Sequence, residues 1–145
     1  MKRILILLAT LLAVVTMAKE GCDTIYLREM GDANGTYYKF ATTSDVVLKL
    51  PSWDPSKEQL PLAITDALAI AKKWCLVSHP KFDDVVLGGI EIEPIGWTTA
   101  KDKWFFIFSF DPIIDGQRLY GQFYAVVLMD GTVVEPKVSK EPSHP

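Results

Sequence analysis

The chain has 145 residues, 49% of them hydrophobic and 23% charged, with a formal net charge of −3. Those values fit one globular domain and exclude a repeat array, a collagen-like or disordered chain and a multidomain enzyme. Basic residues are scattered, Lys72-Lys73 being the densest group, so the positive stripe that nucleic acid or an anionic membrane surface demands is missing.

Lys2 and Arg3 precede an apolar run, Ile4 to Val15, which ends in Thr16, Met17 and Ala18. This order of charged, apolar and small residues predicts a signal peptide over 1–18, with Lys19 as the first mature residue. The run is shorter than the roughly 18 to 20 residues of a membrane span, and no second one of comparable length follows. The expected location is therefore periplasmic or extracellular, with no transmembrane anchor after cleavage. Two cysteines remain, Cys22 and Cys75, and an even count in an exported chain predicts a disulfide between them. Closing so long a loop would contribute about 4 kcal/mol in the chain-entropy view. Gly21 before Cys22 also fits a lipidation site, but Lys19 and Glu20 interrupt the apolar approach that such processing needs.

Along the chain, Thr24 to Met30 and Thr36 to Thr42 are rich in β-branched and aromatic residues and flank a Gly31 to Gly35 turn, which predicts a hairpin. Asn34-Gly35-Thr36 spells a glycosylation acceptor, but Asn and Gly also suit a turn on backbone grounds alone. Pro51 to Pro61 reads as an extended connector whose Trp53 packs back on the body. From Pro61 to Cys75, the spacing of Ala67, Ile70, Ala71, Trp74 and Cys75 predicts an amphipathic helix, with Asp66 early, Lys72 and Lys73 late, and His79-Pro80 as its end.

Four runs then have strand character: Val85 to Ile95, Lys103 to Phe110, Leu119 to Met129 and Thr132 to Val138. Asp130-Gly131 predicts a two-residue hairpin turn, Pro112 to Gln117 a polar turn, and residues 139–145 a disordered tail. Trp104, Phe106, Phe108 and Phe110 share one strand face, while Phe105 and Ile107 lie opposite. That pattern means either a central strand covered on both sides or an apolar surface open to a partner. The predicted class is α+β: one main helix on an antiparallel sheet of about four strands, with an N-terminal hairpin. Its segments are a signal peptide (1–18), the hairpin and connector (19–60), a helix-plus-sheet core (61–138) and the tail.

Leu62, Ala67, Ile70 and Ala71, followed much later by Asp130-Gly131 and Thr132-Val133-Val134, carry a resemblance. The span 62–138 resembles a PepSY-like domain, with Ala63 where that family commonly has a capping Ser. The resemblance implies a cystatin-like helix-on-sheet fold in an exported bacterial protein that holds or inhibits another protein, and it implies no catalytic residues.

The residue types that could carry chemistry have ordinary explanations in this sequence. His79 has Asp83 and Asp84 nearby but no second ordered histidine or spare cysteine to complete a metal site. Ser109 sits in an aromatic strand with no G-x-S-x-G elbow. Glu91 with Glu93, and Asp111 with Asp115, read as solvated surface carboxylates and not as an acid/base pair. Gly88-Gly89 begins a strand and opens no helix, so no phosphate loop forms. No catalytic residue, cofactor or metal is predicted, and the oligomeric state is open. The favoured function is a small exported interaction or inhibitor-like module using Phe105 and Ile107. The alternative is a small-ligand-binding protein or enzyme with a pocket lined by Trp97, Trp104, Phe106 and Tyr124 between helix and sheet.

Overall fold

The computed structural model describes residues 22–32 and 34–140; the predicted signal peptide, Gly21 and residues 141–145 lie outside them. Among the described residues it is an α+β fold with ten elements. Strands β1 (Thr24–Gly31) and β2 (Tyr37–Thr43) form the expected hairpin and lead directly into a short helix, α1 (Ser44–Lys49). After the connector come helix α2 (Ile64–Ser78) and strands β3 (Asp84–Pro94), β4 (Trp104–Ile114), β5 (Gln117–Arg118), β6 (Phe123–Leu128), β7 (Val133–Val134) and β8 (Lys137–Ser139).

All strand pairs are antiparallel, in two sheets. The larger has the order β3-β4-β6-β7, with β5 pairing β4, and the smaller has β1-β2-β8. The anticipated hairpin thus gains a third strand from the far end of the chain. Pro136 explains how: it has no N–H to continue a ladder, so the predicted run Thr132 to Val138 divides there and crosses from one sheet to the other. Ser139, assigned by sequence to the tail, pairs with Tyr37.

Strand β4 is the middle of three layers. Phe106, Phe108 and Phe110 pack with Ala67, Ala71 and Cys75 of α2. These three small helix residues recur every four positions, letting the helix approach the sheet closely. On the other face, Phe105 and Ile107 pack with Phe40 of β2 and Val47 of α1. The reading of Phe105 and Ile107 as an open interaction surface is therefore corrected: they are 1% and 2% exposed, covered by the N-terminal hairpin and α1. The connector is bound as expected. Trp53 packs edge-on against Trp104 at 5.1 Å, its backbone N–H donates to Asp102 O, and Trp104 Nε1 donates to Trp53 O.

Turn chemistry differs from expectation in an instructive way. At Asp130-Gly131 only Gly131 has positive φ, 88°. Leu128 N–H donates to Thr132 O, so the loop spans three residues ending in a left-handed glycine, the pattern of a bulged hairpin. The true two-residue turn is Asp115-Gly116, where φ is 50° and 72° and Ile114 pairs with Gln117. Strand β4 accordingly runs through Pro112, where the sequence predicts a turn. Helix α2 starts after Pro61 and extends to Ser78, so Lys72 lies in mid-helix, where it pairs with Asp84 at 2.8 Å. Its N-cap, Ala63, supplies no side-chain hydrogen bond.

Candidate functional site

Residues weighed for chemistry have structural partners. Arg28 spans both Glu91 and Glu93, at 3.8 and 3.0 Å, binding the small sheet to the edge of the large one. Asp111 is nearly buried and accepts two hydrogen bonds from Arg118, at 3.1 and 2.5 Å. Asp83 accepts from the Gly116 N–H, and His79 Nδ1 lies 3.1 Å from Cys75 O. Because a carbonyl only accepts, Nδ1 carries that proton. Gly88 and Gly89 sit inside β3 at a bulge facing Ser109, where a Cβ on either would lie about 3.2 or 3.1 Å from Ser109 Oγ.

The predicted disulfide is absent: Cys22 is an exposed free thiol and Cys75 a buried one. Cys75 faces the aromatic strand β4 from α2, whereas Cys22 precedes β1 and hydrogen-bonds Asp45 on α1. Burial pushes the Cys75 thiol up to about 11, and the bond to Asp45 raises that of Cys22.

The predicted pocket residues do not converge. Trp97 and Tyr124 join the core on the hairpin side of the large sheet, and Trp104 and Phe106 the core on the α2 side, with the sheet between them. Phe106 is fully buried in packed contacts.

An aromatic pocket does exist elsewhere, at the end of the large sheet where the chain crosses from β7 to β8. Its walls include Tyr38 from β2, Trp74 and His79 from the end of α2, Phe123 and Tyr124 from β6, and Glu135 at the crossing. Its volume is about 170 Å³. The rings meet at angles: Tyr38 is 6.2 Å from Phe123 and 6.3 Å from Tyr124, inclined at 60° and 61°, and His79 stands edge-on to Phe123 at 4.8 Å. Trp74 Nε1 donates to Glu135 Oε1 at 2.7 Å. The Tyr38 hydroxyl donates to Asp32 at 3.3 Å, and that of Tyr124 to Gln122 at 2.6 Å. Burial, then the Asp32 carboxylate, pushes the Tyr38 phenol up to about 12; Tyr124 is raised by burial and by Glu91 and Asp32. Of the residues predicted from sequence only Tyr124 belongs to this pocket. The others come from segments far apart in the chain, and no spacing rule unites them.

A second concavity, of about 280 Å³, lies on the outer face of the small sheet between Thr24, Tyr26, Lys39, Lys137, Val138 and Ser139. Tyr26 and Val138 are 64% and 61% exposed. Lys39 and Lys137 are direct cross-strand partners, Glu29 stands opposite Lys39 on β1, and Lys39 Nζ lies 4.2 Å from the centre of the Tyr26 ring.

No family model, curated protein or solved structure matches the chain. Among the described residues, no helix is long and apolar enough to cross a membrane.

Proposed function

We propose that the protein is a small exported, non-catalytic interaction module of the bacterial cell envelope, inhibitor-like in the sense of holding another protein, and that the outer face of the small sheet is its recognition surface. The observation that carries this reading is the Lys39/Lys137 pair. Like charges directly opposite on neighbouring strands repel, and Lys39 and Lys137 stand opposite each other here, with Glu29 facing Lys39 from β1. An acidic segment of a partner would relieve that repulsion while covering Tyr26, a large side chain left in water on the same face of the sheet. Export rests on the sequence of residues 1–18. The finer architecture belongs to the same proposal: α2 followed by an antiparallel meander supports a cystatin-like arrangement and kinship with PepSY-like domains over 62–138.

Affinity capture from the protein's own envelope extract tests the reading, comparing wild type with a Lys39→Glu, Lys137→Glu variant and with Tyr26→Ser. Tyr26 and Lys137 are exposed and Lys39 is half-buried on the same face, and circular dichroism of each variant checks that it folds. A partner retained by wild type, released by high salt and lost with the charge-reversed variant is the expected outcome. Capture of the same proteins by wild type and both variants would overturn the assignment of the surface. Mass analysis of the native protein is expected to give Lys19 as its N-terminus, and an intact Met1 would overturn export by cleavage.

A further inference from the structure

We propose that the pocket at the β7–β8 crossing binds an organic ammonium ion, held against its aromatic walls and beside the Glu135 carboxylate. This goes beyond the interaction surface proposed above and uses a different part of the molecule. Aromatic faces attract cations through their quadrupole, most strongly where water is excluded. Four of the pocket's rings, Tyr38, Trp74, Phe123 and Tyr124, come from three elements and enclose the cavity from several directions, inclined to one another. Hydrogen bonding from the Tyr38 hydroxyl to Asp32 and from the Tyr124 hydroxyl to Gln122 Oε1 leaves both phenol rings richer in electrons.

Glu135 supplies the countercharge. Trp74 fixes one of its oxygens, and among the described residues no Lys or Arg pairs with it. The carboxylate is thus oriented by an indole and left without a cation. A cavity of about 170 Å³ accepts a methylated or short alkylammonium head and little more, well below the roughly 300 Å³ at which drug-sized sites begin. The group recognised is therefore the ammonium end of a ligand, whether free or carried on a lipid.

Titration calorimetry and indole N–H resonances of the folded protein test this with tetramethylammonium, choline and the neutral isostere 3,3-dimethyl-1-butanol. Saturable binding of both cations is expected, with the Trp74 indole signal moving and the neutral isostere at least about tenfold weaker, the ratio that about 1.4 kcal/mol of cation recognition implies. Glu135→Gln keeps an acceptor for Trp74 Nε1 and the shape of the wall, yet is expected to weaken choline by about tenfold. Equal affinity for choline and its isostere, no effect of Glu135→Gln, or no saturable cation binding would each overturn the proposal. Phosphatidylcholine vesicles that sediment the protein, in competition with free choline, would assign the head group to a lipid; binding of free choline alone would assign it to a small molecule.

Discussion

Arg28 reaches from an edge strand of the small sheet to Glu93 on an edge strand of the large one, Nη1 to Oε1 3.0 Å. The link adds a charged contact to the side-chain packing between the two layers. Both groups remain partly in water, so the pair orients the layers more than it stabilises them. Arg28→Met is expected to cost less than about 1 kcal/mol in urea denaturation, with the difference shrinking further at high salt. A much larger loss would mean that the two sheets depend on this contact for their docking.

Core and surface positions separate sharply. Phe105→Ala is expected to destabilise the fold by about 3 to 5 kcal/mol and Ile107→Ala by about 2 to 5, because each leaves a cavity between the sheets. Val138→Ser, at a largely exposed position on β8, is expected to stay within about 0.5 kcal/mol. Chemical denaturation midpoints at unchanged slope give the comparison directly. Near-neutral Phe105→Ala would show that the hairpin layer does not cover β4 in solution.

The two thiols differ in access. One equivalent per chain, Cys22, is expected to react with a thiol reagent under native conditions, and the second, Cys75, only after unfolding. Its thiol is buried against β4 and raised to about 11, and the thiolate is the reactive form. Mass analysis without reductant is expected to find both cysteines unpaired.

Two left-handed glycines predict unequal costs. A Cβ at Gly35, φ 74°, meets nothing within 4 Å, whereas one at Gly131, φ 88°, comes within 3.3 Å of Ile70 Cδ1 on α2. Both Gly→Ala changes pay for the backbone, about 1 kcal/mol, and Gly131→Ala additionally pushes on the helix. Melting temperatures are expected to fall in the order wild type, Gly35→Ala, Gly131→Ala.

Tyr38 carries a pH dependence with a definite sign. Its folded value, about 12, lies above the ordinary tyrosine value of 10. The stabilisation is complete below pH 10, where the unfolded phenol is also protonated, and is lost as pH rises from there through 12. Stability measured across that alkaline window is expected to fall less steeply in Tyr38→Phe, and phenolate absorbance in wild type is expected to show one tyrosine titrating late.

Local patterns were legible wherever one element carried the signal. The alternation of Trp104 to Phe110 marked the central strand, and the small-residue stripe of α2 marked the helix. The same alternation left both faces of β4 apolar, and sequence alone did not say which face was covered. That depended on a hairpin and helix α1 some sixty residues earlier, whose Phe40 and Val47 supply the lid. The two Asp-Gly pairs exchanged roles for a comparable reason. The turn at residues 130–131 lies under α2, and Met129 is drawn into the core, lengthening that loop to three residues, whereas residues 115–116 are exposed and adopt the tight form. The pocket was less legible still, because Tyr38, Trp74, Phe123 and Glu135 become neighbours only after both sheets and the helix have assembled.

The crossing at Pro136 also sets an order of events. Strand β8 pairs with Tyr37 to Lys39, so the ladder that completes the small sheet joins two ends of the described chain. Until residues 135–139 are available, the β2 edge lacks its β8 partner, Glu135 has no place beside Trp74, and the pocket has no outer wall. A chain supplied from its N-terminus therefore assembles this aromatic pocket only after β8 has been delivered, later than the hairpin and helix that form its other walls.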